Sequence, residues 1–241
     1  MGRPVAPLQD ADVLSRIAAA RAAGRHTLTE CEAKALLAGL GVAVPRGGVA
    51  RSENEAVELA RWLDAPVVLK VVAPGLVHKS EFGGVVLPVF PGTVGDAYCR
   101  LLERVGVRGL SAPVEGVLVE EYVQDGVECV LSFTRASPFG PVVMFGLGGV
   151  FVEAMGDVSF RLAPLRPDEA AELLVEVRGA RCLDGFRGRP AVDRGALVKA
   201  ILALASLGDA PALEEVREVE IDPLLARPNG AVALDAVVML R

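Results

Sequence analysis

A chain of 241 residues with 52% hydrophobic and 23% charged side chains can fold around one large core or two modest ones, which excludes a disordered chain. Its 25 lysines and arginines stand against 31 aspartates and glutamates, a net charge of −6 with no basic stripe, so nucleic-acid binding is not expected. No stretch approaches the roughly 20 apolar residues that a bilayer requires, and Met1-Gly2-Arg3-Pro4 leads into no apolar run, so neither a membrane span nor a secretory leader is expected.

Residues 12–23 read as an Ala-rich helix ended by Gly24, an N-terminal extension over 1–24. Thr29-Glu30-Cys31-Glu32 is a capping box opening a helix that Gly41 stops. Val42 to Pro45 reads as a short strand, and Ser52-Glu53-Asn54-Glu55 as a second capping box. A strand from Pro66 to Val72, a glycine loop, a strand from Val85 to Phe90 and a helix near 93–105 complete a first α+β unit over 25–110. Gly109-Leu110-Ser111-Ala112-Pro113 is the most linker-like stretch. Beyond it, over 111–241, strands are expected at 116–123, 127–134 and 141–146, the first two joined as a hairpin by Gln124-Asp125-Gly126. Helices at 167–178 and 194–207 and strands at 216–221 and 231–240 complete a second α+β unit on a largely antiparallel sheet.

Chemistry concentrates between Leu69 and Val85. Lys70 sits mid-strand in an apolar run, where a lysine either snorkels or pairs with an anion. The loop beyond carries His78, Lys79 and Ser80 just before Gly83-Gly84, and glycines let backbone N–H groups approach an anion. His78 is a nucleophilic imidazole able to carry a phosphoryl group, and the chain has only 2 histidines. Alternation puts Glu120 and Glu121 on opposite faces of their strand, so one of them points inward. Glu128 opens the next strand. Glu218, Glu220 and Asp222 share one side of a strand that Pro223 is expected to break, and Asp235 lies in apolar company on the returning strand. Two such carboxylates suit Mg²⁺, which takes few protein oxygens and leaves room for phosphate and water. Gly146-Leu147-Gly148-Gly149 lacks the third spaced glycine of a dinucleotide fingerprint and is expected as a turn delivering Glu153. Cys31, Cys99, Cys129 and Cys182 form no CxxC pair and are expected as reduced core thiols of a cytoplasmic protein.

These motifs, in order, resemble the ATP-grasp subunit of ADP-forming acyl-CoA synthetases (acetate–CoA ligase, ADP-forming, β subunit). The likeness runs from about Leu28 to Leu240. It rests on Leu69-Lys70, Leu76 to Val85, Val119-Glu120-Glu121-Tyr122-Val123, Phe139-Gly140-Pro141, Phe145 to Glu153, Glu220 to Leu224 and Leu234-Asp235-Ala236. It implies an ATP-grasp fold with the nucleotide held between two α+β subdomains. It further implies Lys70 and Lys79 on the phosphates of ATP or ADP, Glu120 to Val123 against adenine, and Glu128 on the ribose. Asp222 and Asp235 would hold Mg²⁺, and His78 would relay the phosphoryl group. A CoA-binding α subunit is the implied partner, because the CoA-binding and ligase domains are not expected in this chain. An ATP-sensing module related to protein acyltransferases, or a stand-alone ATP-grasp ligase, is the alternative function. Two positions depart from the resemblance: Ala136 stands where relatives usually have Asp, and Asp222 where many have Asn.

Overall fold

The computed structural model describes residues 10–76, 79–110, 112–135, 138–148, 156–185 and 188–241. His78, Ala136 and the Gly149 to Glu153 segment lie outside the described residues.

Helix α1 (Asp10–Ala22) and helix α2 (Glu30–Gly39) come first. The expected capping box opens α2: the Thr29 side chain accepts from the Glu32 backbone N–H, and the Glu32 carboxylate accepts from the Thr29 backbone N–H at 2.8 Å. The expected strand at 42–45 is only a single bridge from Ala43 to Val232. Strand β1 (Gly47–Ala50) begins the first sheet instead. It is followed by α3 (Glu53–Leu63), β2 (Val67–Val72), β3 (Val85–Val89), α4 (Val94–Val107) and β4 (Gly116–Glu121). Ser52 caps α3, but Glu55 turns back to the Arg51 N–H rather than completing the box on Ser52.

The order of this antiparallel sheet is β1-β4-β2-β3. Val67, Leu69 and Val71 of β2 and Val117 and Val119 of β4 pack with Leu59, Leu63, Leu101 and Val105 of α3 and α4. Period-two alternation sends Val68, Lys70 and Glu120 to the opposite face. That face lines a cavity.

The second sheet is built from β5 (Val127–Thr134), β6 (Val142–Leu147), β7 (Val158–Leu162), β8 (Val216–Arg227), β9 (Gly230–Ala233) and β10 (Ala236–Leu240). Its order is β10-β8-β5-β6-β7, with β9 on the far half of β8. Helices α5 (Pro167–Glu176) and α6 (Arg194–Ala205) bury Leu173, Leu197 and Ile201 in the same core as Phe133, Phe145, Val219 and Ile221 of the sheet.

Three expectations are corrected. First, β4 and β5 are not a hairpin. β4 pairs with β1 and β2, whereas β5 pairs with β6 and β8, so Gln124-Asp125-Gly126 crosses from one sheet to the other. Second, the cores do not divide the chain at 110/111. Val13, Ile17, Leu36 and Leu37 of α1 and α2 belong to the larger core, and Leu28 N–H donates to the Val238 carbonyl of β10. Leu110 packs on the smaller core with β4, so the smaller unit, from about β1 to β4, is inserted into the larger one. Third, Pro223 does not end β8. Leu131 pairs with Ile221 and Cys129 with Leu224, so Asp222 and Pro223 sit in a register shift, where a missing N–H costs little.

The thiols divide as well: Cys129 is buried as expected, Cys31 and Cys182 are partly buried, and Cys99 is exposed. No described helix is long and apolar enough to cross a membrane.

Candidate nucleotide and phosphoryl-transfer site

A cavity of about 530 Å³ lies between the two sheets. β2 contributes Val68 and Lys70, and the end of β4 contributes Glu120, Glu121, Tyr122 and Val123. The far wall carries Glu128 of β5, Asp222 and Leu225 of β8, and Leu234 and Asp235 from the break between β9 and β10. Residues 165 positions apart in sequence thus meet because the smaller unit is inserted into the larger. Of the residues expected in the site, Lys70, Glu120, Val123, Glu128, Asp222 and Asp235 all line this cavity. Lys79 contacts Asp235 from outside the lining. His78 lies outside the described residues.

Both candidate metal ligands sit where strand geometry is interrupted, Asp222 in the register shift of β8 and Asp235 between β9 and β10. Among the described residues no group of three or more His, Cys, Asp or Glu side chains forms a metal cluster. Two carboxylates on a cavity wall are nonetheless the donor set that a hard cation bridging to phosphate needs.

An ionic cluster runs from the cavity wall, where Lys70, Glu120 and Asp235 lie, back to Glu30, Lys34 and Lys79 behind it. Lys70 Nζ donates to Glu30 Oε1 at 2.7 Å and to the Leu234 carbonyl at 2.6 Å, and it lies 2.8 Å from Glu120 Oε1. Lys34 Nζ lies 2.8 Å from Glu30 Oε1 and 2.6 Å from Glu120 Oε2. Lys79 Nζ is 3.2 Å from Asp235 Oδ1. It is also 3.1 Å from Glu30 Oε2, an ion-pair contact rather than an aligned hydrogen bond. Three ammonium groups therefore face three carboxylates, drawn from α2, β2, β4, the Lys79 loop and the β9–β10 break. The side chains of Glu30, Lys34 and Glu120 are 3–5% exposed. An ion cluster so deeply buried gains little net stability over apolar packing. What it does is hold charges in fixed places and tie the two units together.

Glu30 and Lys34 were not legible as site residues. They lie four apart on α2, a spacing that reads as an ordinary helical ion pair, and the capping box drew attention to Glu32. Glu121 turns the other way, as alternation demands, and forms an exposed bidentate pair with Arg46 at 3.1 Å. Arg189 is a further cavity residue that no motif announced.

The cluster shifts its members' proton affinities. Burial pushes the Glu30 pKa up, but Lys34, Lys70 and Lys79 outweigh it and hold the carboxyl well below its ordinary 4.5. Burial lowers Lys70, and Glu30, Glu120 and Asp235 more than restore it, leaving the ammonium above its ordinary 10.5. Asp235 is raised above its ordinary 3.8 by burial and by the Glu30 charge. The depressed Glu30 pKa adds stability that is present above about pH 4.5 and lost as acid drives the pH toward the folded value. The raised Lys70 pKa adds stability that is lost only as the pH climbs beyond 10.5. The raised Asp235 pKa works in the opposite sense to Glu30, favouring the fold in acid. Urea unfolding at neutral pH and at about pH 3 should show the gap between wild type and Glu30→Gln narrowing in acid. A gap that stays constant would mean that Glu30 is not ionised in the fold.

Two sheets closing on a cavity, with a buried lysine from the smaller unit and carboxylates from the larger, define an ATP-grasp architecture. The chain belongs to the ATP-grasp family: the model of the ATP-grasp domain matches residues 19–240. It is 36% identical over 219 residues to the β subunit of acetate–CoA ligase (ADP-forming) I of Pyrococcus furiosus, covering 90% of this chain and 94% of that one. It is 39% identical over 206 residues to acetate–CoA ligase (ADP-forming) I of Archaeoglobus fulgidus, covering 85% of this chain but only 30% of that protein. The chain thus spans less than a third of the length of the Archaeoglobus relative. Among solved structures it resembles an acetyl-coenzyme A synthetase of Ca. Korarchaeum cryptofilum. A complex with coenzyme A and Ca-AMPCP matches with a TM-score of 0.89 and 41% identity, over 93% of this chain and 98% of that one. A complex with coenzyme A and Mg-AMPPCP, its phosphohistidine segment pointing towards the nucleotide binding site, matches with a TM-score of 0.83 and 37% identity, over 95% of this chain and 100% of that one.

Proposed function

We propose that this chain is the nucleotide-binding subunit of an ADP-forming acyl-CoA synthetase, a ligase that interconverts acyl-CoA, ADP and phosphate with the free acid, CoA and ATP. A CoA-binding α subunit supplies the rest of the catalytic apparatus, and the reaction runs in the cytoplasm, where the free thiols of this chain stay reduced. The observation that carries this reading is the convergence of Lys70, Glu120 to Val123, Glu128, Asp222 and Asp235 on one cavity.

Adenine lies against the end of β4, where backbone groups of Glu120 to Val123 can read it, and Glu128 accepts from the ribose hydroxyls. The phosphates turn toward Lys70 and Lys79. Asp222 and Asp235 would hold Mg²⁺, whose charge would offset that of the phosphates in a cavity that Glu120, Asp125, Glu128, Asp222 and Asp235 already make acidic. His78 carries the phosphoryl group. A terminal oxygen of ADP forms the new P–O bond as the P–N bond breaks, and the electron pair returns to the imidazole nitrogen. The protein's part is positioning and charge neutralisation.

Calorimetric titration of the full chain with ADP tests the nucleotide half of this reading. Binding should fall in the micromolar to millimolar range usual for substrates and should strengthen with Mg²⁺. Asp235→Asn should remove most of that Mg²⁺ dependence. Binding that ignores both Mg²⁺ and Asp235 would remove the metal assignment.

A further inference from the structure

Lys70 has three N–H groups and three partners: Glu30, Glu120 and the Leu234 carbonyl, all within 2.8 Å. No N–H is left over for a phosphate oxygen. If Lys70 is to grip a nucleotide, one of these contacts has to be exchanged. Glu30 lies behind the lysine and does not line the cavity, and the Leu234 carbonyl is backbone held at the end of β9. Of the three, Glu120 alone is a side-chain carboxylate that lines the cavity.

Releasing Lys70 from Glu120 would strand a carboxylate that is 3% exposed, which costs far more than a hydrogen bond unless another cation remains on it. That cation is in place. Lys34 sits 2.6 Å from the second oxygen of Glu120, so the two oxygens of one carboxylate are divided between the two lysines. Lys34 is itself 4% exposed, does not line the cavity and cannot touch a ligand there.

We propose that Lys34 is a positioning residue for nucleotide binding: it keeps Glu120 neutralised so that Lys70 can leave it for a phosphate oxygen. The inference rests on the reading of the cavity as a nucleotide site. It makes α2, part of the larger unit, a working component of a phosphate grip mounted on the smaller one. Charge is conserved throughout. Lys70 exchanges one anionic partner for another, and Glu120 keeps one of its two cations.

A double-mutant cycle on the full chain, read by Mg-ADP titration, tests it. Lys34→Met should weaken binding by about tenfold or more, because Glu120 then retains Lys70 as its only cation. In a Glu120→Gln background the carboxylate that Lys70 has to leave is gone and only Glu30, behind the lysine, still pairs with it, so Lys34→Met should then change affinity by no more than about twofold. Lys34→Arg should recover most of the loss. If Lys34→Met does not fold, the pair Lys34→Gln with Glu30→Gln keeps the cluster charge-balanced and should show the same weakening. Wild-type affinity in either variant, or an equal loss in both backgrounds of the cycle, overturns the proposal. Absence of Mg-ADP binding by the wild-type chain would instead sink the reading of the cavity, and this inference with it.

Discussion

Lys70→Met should abolish nucleotide binding and lower the melting temperature by roughly 10 °C, the largest combined effect expected of any substitution in the cavity. Removing one partner of a buried ion pair costs about 3–5 kcal/mol, because the uncompensated charge stays behind. For a chain of this size each kcal/mol is worth about 2–4 °C. Here the loss leaves Glu30 and Glu120 sharing Lys34, with Lys79, which also pairs with Asp235, reaching Glu30 but not Glu120. Differential scanning calorimetry reads the stability term, and Mg-ADP titration reads the function. The two separate in the double variant Lys70→Met with Glu120→Gln. That variant restores charge balance and should recover much of the melting temperature while binding no better. Recovery of both would mean that Lys70 acts only through the fold.

The second large effect concerns chemistry rather than binding. His78→Ala, assembled with a CoA-binding α subunit, should lose ATP formation by roughly a thousandfold or more, the scale expected when the group that carries the covalent intermediate is removed. Mg-ADP should still bind, because the proposed grip comes from Lys70, Glu128 and Asp235 rather than from His78. Normal turnover in the assembled variant would show that the phosphoryl group reaches ADP without this histidine.

Much of the architecture was visible in residue patterns. The capping box at Thr29, the apolar alternation of β2 and the opposed faces of Glu120 and Glu121 are local signals, and local signals survive in one dimension. The pairing of β4 was not local. Gln124-Asp125-Gly126 is as good a hairpin turn as any, but Val117 and Val119 complete the smaller core, and that packing overrides the turn. The division into units failed for a related reason. Gly109 to Pro113 looks like a linker by composition, yet the chain only leaves the smaller unit after β4, once Leu110 has packed against its core.

The site shows the same contrast. Asp222 stood out as the last of three carboxylates on one strand face before Pro223, and Asp235 because it interrupts an apolar strand. Glu30 and Lys34 did not, since a charged pair on a helix is usually solvated, and only the arrival of β2 and β4 over α2 buries it. Lys70 was legible as a buried lysine seeking an anion. That two of its anions are protein carboxylates, both of them shared with Lys34, emerges only in three dimensions.

The most direct test of the central claim is a labelling experiment on the assembled enzyme. The full chain, a CoA-binding α subunit, acetyl-CoA and ³²P-phosphate are mixed without nucleotide, and the subunits are then separated under alkaline denaturing conditions. The label should appear on this chain at His78, survive base but not acid, and pass into ATP when Mg-ADP is added. A chain that never takes up label, or label that stays in place when Mg-ADP is added, would contradict the account.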